Sequence, residues 1–417
     1  MLDIAFIREN AAALRQACKN KQLDASVVDE VLTTDARRRE LQLKLDDLRS
    51  QANAQAEHIK KLVGDGGKPS QGDIAKGKAI KEQIKELQPA FDETNAAYEK
   101  AMLFVPNVPA EDVPIGANEA GNQVVKQVGT TPTFNFVPKE HFELMENLGW
   151  LDTERAVRIG GFRSYFLKGD AVLWEQALMR LALDLLVKEG FTPMTAPVLV
   201  NEDMMWGTGY FPWGSEDHYK TQDNQILAGT AEVALTAYRA GETLLESELP
   251  YKMVGISPCF RREVGSYGKD LKGVIRVHQF TKVEQVVYTV ADETETRIWH
   301  EKMLGYSEKL LETLGLSYQV LLMCSGDMGA GQRKKFDVET WFPGQQKYRE
   351  THSASYFNDF QSRRLGIRYR SKDGTLKHVY TLNNTVAASP RLLAAVIENY
   401  QKADGTIEVP TALQKWL

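Results

Sequence analysis

Cysteine is scarce in this chain of 417 residues. Cys18, Cys259 and Cys324 lie far apart and no CxxC pair exists, which excludes a disulfide framework and a zinc knuckle as organising devices. That usage fits a reducing, cytoplasmic compartment. The seven histidines are scattered as well. Long apolar runs are missing: a stretch such as ALMRLALDLLVKEG is broken by charges, so no membrane span is expected. The start, MLDIAFIREN, lacks the basic opening and apolar run of a secretory signal. No GxxxxGK[ST] occurs and no GxGxxG follows a strand pattern, so a nucleotide bound here would not sit on a P-loop or a Rossmann turn. An excess of positive charge is also absent. The formal net charge is −5, which argues against general coating of nucleic acid and leaves only local contact.

What is present divides into two textures. The length implies two or three domains, and 43% hydrophobic with 26% charged residues is ordinary for a globular protein. Within residues 1–105, Leu41, Leu45, Leu48, Ala52, Ile59 and Leu62 follow a heptad seam, with Gln55 in its one polar slot. GDGGKPSQGD, from Gly64 to Asp73, breaks the helix, and the seam resumes at Ile80, Ile84, Leu87, Phe91 and Tyr98. The pattern predicts an antiparallel helical hairpin, with a local kink at Pro89. Seven lysines (60, 61, 68, 76, 78, 81 and 85) face only Asp65, Asp73 and Glu82 in the tip half, a net of +4. Such charges suit either a solvated coiled-coil face or an arm that tracks phosphates. FVPNVPAEDVPIG then links this arm to a second domain, taken as residues 106–417. There, amphipathic helices alternate with β-rich runs (FTPMTAPVLV, YKMVGISPCF, HQFTKVEQVVYTV, YQVLLM, HVYTLNN), several of them joined by turns. That predicts an α+β domain around a mainly antiparallel sheet.

CFRREVGSYGKDLKGVIRVHQFTKVEQ concentrates cations in this acidic chain. ISPCFRREV and VIRVHQFTKVEQVVY read as two strands around a polar loop. Alternation would put Arg261 and Glu263 on one face, and Arg276, His278, Phe280, Lys282 and Glu284 on one face of the return strand. Arginine forks suit phosphate oxygens, a phenylalanine can stack on a base, and a carboxylate can accept from an amino group. An exposed salt-bridged hairpin would explain the charges too, but not Phe280 among them. LAGTAEVAL places Thr230 and Glu232 in a Gly-led turn, and Glu350 with Ser353 supplies oxygens of the kind Mg²⁺ takes. In TLNNTVAASPRLLAAVIENYQ, Ser389 suits an N-cap, Pro390 the first helical position, and Arg391 opposes the helix dipole unless an anion lies nearby.

With these stretches in hand, the whole chain resembles the seryl-tRNA synthetases, a class II aminoacyl-tRNA synthetase family. Motif 1 resembles GFTPMTAPVLV with Pro197, motif 2 the cation-rich segment, and motif 3 NNTVAASPRLLAAVIENYQ; Thr230-Ala231-Glu232 is similar to the serine-binding loop, and SGDMGAGQRKKFDVETWFPGQQKYRE to the stretch before the active-site Glu. The resemblance implies a class II catalytic domain behind a two-helix coiled-coil arm. It implies activation of L-serine by ATP, then transfer to the terminal adenosine of tRNA-Ser, with tRNA-Sec a further acceptor where selenocysteine is used. Arg261, Arg276 and Arg391 would be catalytic. Thr230, Ala231, Glu232, Arg261, Glu284 and Thr385 would bind serine. Glu263 would accept from the adenine amino group between Phe280 and Arg391, with Arg276 on the outer phosphates. Glu350 and Ser353 would hold Mg²⁺, and Arg262, Thr351 and His352 would complete the ATP site. The arm, through Lys76, Lys78, Lys81 and Lys85, would grip the long variable arm of tRNA, and the family implies a homodimer. Two departures stand out: Glu-Thr-His-Ser replaces the common Glu-Ile-Ser-Ser, and NNTVAASPR replaces a glycine-rich motif 3, with Thr385 keeping the hydroxyl.

Overall fold

The computed structural model describes residues 1–264, 270 and 272–417. It divides into two compact units, one of Leu2–Lys19 and Leu23–Pro106, the other chiefly Asn107–Leu417.

The first unit is dominated by helices α1 (Ser26–Gly64) and α2 (Gln71–Phe104), packed as an antiparallel pair. The seam falls where the heptads put it. Leu41, Leu45 and Ile80 are buried, and Leu48, Ala52, Ile59, Leu62, Ile84, Leu87, Phe91 and Tyr98 are half-buried. Gln55, the polar member, is buried and donates through Nε2 to the Asp73 carbonyl at 3.1 Å, which gives its buried amide a partner across the hairpin. The tip is closed by a capping box: Ser70 Oγ accepts from the Asp73 N–H at 3.1 Å and the Asp73 carboxylate accepts from the Ser70 N–H at 3.0 Å. Helix α2 runs through Pro89 without a break. The ring lies on an exposed face, where water can serve the carbonyl that it leaves without a donor.

The second unit is built on eight strands: β1 (Gln123–Val128), β2 (Thr192–Thr195), β3 (Tyr251–Phe260), β4 (Gln279–Thr289), β5 (Tyr318–Leu322), β6 (Lys334–Phe342), β7 (Lys347–Asn358) and β8 (Tyr380–Ala388). Their order is β1-β5-β6-β7-β8-β4-β3-β2. Every neighbouring pair is antiparallel except β2 with β3, at one edge. Five helices matter here: α3 (Thr153–Gly160), α4 (Asp170–Lys188), α5 (Glu232–Thr236), α6 (Glu293–Thr313) and α7 (Ser389–Asn399). Helices α4, α6 and α7 cover one face, where Trp174, Leu178, Leu310, Leu393 and Val396 share a core with Val287, Tyr356 and Leu382 of the strands. The opposite face of the central strands is polar.

Some expectations need correction. The return strand does not begin at Val274. Pairing starts at Gln279, opposite Phe260, because β3 ends there and Glu263 takes a left-handed φ of +54° that turns the chain aside. Arg276 and His278 therefore precede the ladder, and Arg261 to Glu263 follow it. The part of the polar loop at 265–269 and 271, Lys269 included, lies outside the described residues. Ser389 is not the N-cap of α7. Ala388 holds that position and Pro390 follows Ser389 in the first turn, while Ser389 Oγ accepts from the Thr281 N–H at 3.1 Å and ties the helix to β4.

The core behind the site contains His300, 1% exposed, its ring centroid 5.0 Å from that of Phe336 and 5.1 Å from that of Tyr356. Burial pulls its pKa from 6.5 down to about 4. The folded chain keeps this imidazole neutral, whereas the unfolded chain protonates it near 6.5. Its contribution is therefore complete above about pH 6.5 and is lost as pH falls toward 4, by up to about 3 kcal/mol. Denaturant midpoints measured across that window should fall less steeply for His300→Leu than for the unsubstituted chain. Equal slopes would mean that the imidazole is hydrated when folded.

Candidate active site

The polar face of β4 forms the floor. Alternation along the strand puts Phe280, Lys282 and Glu284 on it, opposite Cys259, Ser257 and Gly255 of β3. A Cβ at Gly255 would lie 2.9 Å from Leu235 Cδ1 and 3.1 Å from the Ala231 Cβ. Only glycine lets α5 settle this close, and α5 carries Glu232 to the floor. Glu232 is buried and accepts from the Tyr210 hydroxyl at 2.6 Å and from Gln361 Nε2 at 3.0 Å. Burial, reinforced by the nearby Glu284 charge, pushes its carboxyl pKa up despite those donors. Glu284 faces Thr385 across the β4–β8 ladder and accepts its hydroxyl at 3.1 Å. Lys282 Nζ reaches Glu284 at 2.5 Å and Thr385 Oγ1 at 3.3 Å.

One wall comes from the segment beyond β3. The Arg261 guanidinium stands 5.4 Å from the Phe280 ring centroid, and its Nε donates to the Gly229 carbonyl at 3.4 Å. Glu263 is paired with Arg276 at 3.1 Å and with Arg163 at 3.8 Å, and Arg276 also holds Asp270 at 3.1 Å. Arg262 is exposed and donates to the Glu216 carbonyl at 2.8 Å.

The opposite wall is β7. Residues three apart on a regular strand point to opposite faces. Here the β6–β7 register slips: Val338 pairs with His352 but Glu339 pairs with Glu350, leaving Thr351 as the extra residue. This bulge turns Glu350 and Ser353 toward the same cavity. Glu350 accepts from Arg391 Nη1 at 2.9 Å, and Arg391 Nε donates to the Ile275 carbonyl at 3.2 Å. Glu350 is thus the anion that offsets a cation in the first turn of α7. The Glu350 side chain is still 44% exposed; its partial loss of water would raise the pKa, but Arg391, Lys335 and Arg261 outweigh that and hold the group at about 2. Directly across from Ser353 lies Asp337, buried and paired with Lys335 at 3.0 Å, its Oδ1 without a hydrogen-bond partner among the described residues. Burial, the largest influence, lifts the Asp337 pKa to about 7. An ionised carboxylate beside a hydroxyl, with a spare buried carboxylate oxygen behind, is an oxygen donor set that fits Mg²⁺. Thr351 and His352 border the cavity, but their polar atoms meet each other at 2.8 Å (Nδ1 to Oγ1), and Thr351 Oγ1 lies 2.7 Å from Thr340 Oγ1.

One cavity therefore gathers Glu232, Arg261, Glu263, Phe280 and Glu284 with Glu350, Thr351, His352, Ser353, Thr385 and Arg391. Thr230, Ala231, Arg262 and Arg276 are not in its lining. Thr230 is buried beneath α5, where its Oγ1 accepts from the Glu232 N–H at 3.1 Å. Sequence reasoning gave no role to Tyr210, Lys282, Gln332, Lys335, Ser355 or Asn383, all of which line it. Lys282 lies on the face that alternation gives it with Phe280 and Glu284, where the sequence reading assigned it no role. Tyr210 arrives from a separate segment. In the other unit Lys76, Lys78, Lys81 and Lys85 are all exposed on α2. Spacings of three and four put Lys78, Lys81 and Lys85 on one face and Lys76 on another. Among the described residues, no helix is long and apolar enough to cross a membrane.

Comparison with known proteins gives the arrangement a family. Residues 1–109 match the model of the seryl-tRNA synthetase N-terminal domain, and residues 216–400 match the class II tRNA synthetase core domain of the G, H, P, S and T types. A serine–tRNA ligase of Deinococcus radiodurans is 45% identical over all of this chain and 97% of that protein. The crystal structure of a seryl-tRNA synthetase from Pyrococcus horikoshii, complexed with ATP, superposes with a TM-score of 0.93 at 37% identity, covering 100% of this chain and 98% of that one. A cytoplasmic serine–tRNA ligase from Naegleria fowleri in complex with AMP gives 0.88 at 32% identity, covering 100% and 97%. With the fold, the cavity and full-length likeness in agreement, the chain belongs to the seryl-tRNA synthetase family.

Proposed function

We propose that this chain activates L-serine with ATP, releasing pyrophosphate, and transfers the seryl group from the adenylate to the 3′-terminal adenosine of tRNA-Ser. The observation that carries the reading is the single cavity in which Arg261, Glu284, Glu350 and Arg391 meet. The serine carboxylate attacks the α-phosphorus, the bond to the bridging oxygen breaks, and pyrophosphate departs; no protein nucleophile is needed. Arg261 binds the carboxylate and the α-phosphate. Glu263 accepts from the adenine amino group, with the base between Phe280 and Arg391. Arg276, now held by Glu263 and Asp270, exchanges partners to meet the outer phosphates. Glu232, Glu284 and Thr385 receive the serine ammonium and hydroxyl, with Thr230 and Ala231 positioning Glu232. Glu350 and Ser353 would hold Mg²⁺, which would supply charge neutralisation across the ATP phosphates. Catalysis is then positioning plus electrostatic stabilisation.

ATP–pyrophosphate exchange with each amino acid separately, without tRNA, tests this. Exchange with serine alone is expected; exchange with a different amino acid, or with none from a folded protein, would overturn it.

The helical arm binds the long variable arm of tRNA. Replacing Lys76, Lys78, Lys81 and Lys85 with alanine should raise the KM for tRNA and leave exchange intact. The slope of log KM against log salt should fall by about 1 for each lysine that meets a phosphate. Loss of both activities would refute the arm's role. The enzyme works as a homodimer in the cytoplasm. Supporting the dimer, Ile159 (78% exposed) and Phe162 (54%) stand out at the end of α3, with Phe166 and Leu173 close behind in sequence. A monomeric mass by sedimentation equilibrium at assay concentration would remove this part of the reading.

A further inference from the structure

The cavity floor contains an ion pair that the reaction itself does not require. Lys282 and Glu284 have side chains only 6% and 2% exposed, with Nζ 2.5 Å from the carboxylate. The same ammonium lies 3.3 Å from Thr385 Oγ1, and that hydroxyl donates to Glu284 at 3.1 Å. The three groups close a triangle on two adjacent strands. A lysine is rarely sealed in this way unless a fixed partner compensates its lost hydration. The neighbouring carboxylate, Glu232, is served by neutral donors, the Tyr210 hydroxyl and Gln361 Nε2. Lys282 is therefore the cation that offsets Glu284 on this floor, and its charge also acts on the neighbouring Glu232.

We infer that Lys282 is a positioning residue for amino-acid selection: it fixes Glu284 and Thr385 as a pre-aligned pair, so that the subsite admits a substrate whose hydroxyl completes their hydrogen bonds. The inference rests on the reading of this floor as the serine pocket and deepens it. A substrate ammonium is common to all amino acids and carries no selection. The hydroxyl does, because alanine in the same place leaves buried polar atoms unmatched. That penalty requires the pair to be held still. Without Lys282, Glu284 can swing away from Glu232, and Thr385 loses one of the two groups that fix its hydroxyl. A slack pair tolerates alanine.

The test is ATP–pyrophosphate exchange with serine and with alanine. For Lys282→Met the KM for serine should rise about tenfold or more, and the serine-to-alanine ratio of kcat/KM should fall about tenfold, with the KM for ATP little changed. Lys282→Arg, which keeps the charge, should recover part of the ratio. If Lys282→Met does not fold, as judged by circular dichroism, Lys282→Gln carries the same comparison. An unchanged ratio, or a rise in the KM for ATP equal to that for serine, would overturn the inference and leave Lys282 a structural residue. No serine-dependent exchange by the unsubstituted chain would remove the pocket reading and this inference together; normal exchange with an unchanged ratio in the variant would remove this inference alone.

Discussion

Replacing Arg261 with alanine should lower serine-dependent ATP–pyrophosphate exchange by about 10³-fold, close to 4 kcal/mol of lost transition-state stabilisation. The size follows from how the cations around the cavity are committed. Lys282 is bound to Glu284, Lys335 to Asp337 and Arg391 to Glu350. Among the described residues Arg261 makes no ion pair with a carboxylate; its guanidinium leans over Phe280 and touches one backbone carbonyl. Among the described residues of the cavity it is the cation whose charge remains available to an anionic substrate, and in the proposed reaction two anions meet there, a carboxylate and an α-phosphate. Bringing them together without a positive charge is the repulsive step that the site has to solve. Arg261→Lys should recover little of the rate, because one ammonium cannot present the two parallel donors of a guanidinium. The thermal midpoint should hardly move, since among the described residues Arg261 makes no ion pair that the fold depends on. A loss smaller than tenfold, with the fold intact, would transfer the role to another cation and undo the assignment.

How far the sequence discloses such a site depends on what each residue must do locally. The arm is legible because one requirement, a buried seam, repeats for many turns, and even its exception, Gln55, reads as a polar slot before its bond to Asp73 is seen. Strand β3 is legible for a similar reason, with YKMVGISPCF filling it from end to end. Strands β6 and β7 are not among the β-rich runs, although they are central in the sheet. Their site-facing positions carry Lys335, Asp337, Glu339, Glu350, Ser353 and Ser355, and this polar half masks the apolar half that packs on the helices. The meeting of Glu350 with Ser353 is harder still. Strand periodicity alone would separate them, and the bulge at Thr351 that reunites them arises from pairing with β6, a partner eight or more residues away. Arg262 illustrates the reverse: motif and charge put it in the site, whereas the backbone turn at Glu263 leaves it exposed against Glu216. Local pattern thus reports burial and period, while the aim of a side chain at a strand end depends on where the partner strand stops.

Glu350→Gln keeps the shape of the β7 wall and removes one charge, which should lower exchange by about 10²- to 10³-fold and raise the Mg²⁺ concentration for half-maximal rate at least about tenfold. Two roles compete for Glu350. It is the partner of Arg391 at 2.9 Å, and it is half of the oxygen set with Ser353. The roles separate by measurement. If Glu350 only steadies Arg391, the rate falls while the Mg²⁺ dependence stays where it was, because an amide oxygen can still accept from the guanidinium. If Glu350 holds the ion, the amide, a far weaker ligand for a hard dication, shifts the Mg²⁺ requirement as well. The geometry favours the second outcome. The bulge at Thr351 turns Ser353 toward the same cavity as Glu350, which a residue that only steadied Arg391 would not require. Ser353→Ala supplies the control: it should shift the Mg²⁺ requirement in the same direction without disturbing Arg391. A Mg²⁺ dependence unmoved by either substitution would leave Glu350 as the anchor of Arg391 alone and place the ion elsewhere.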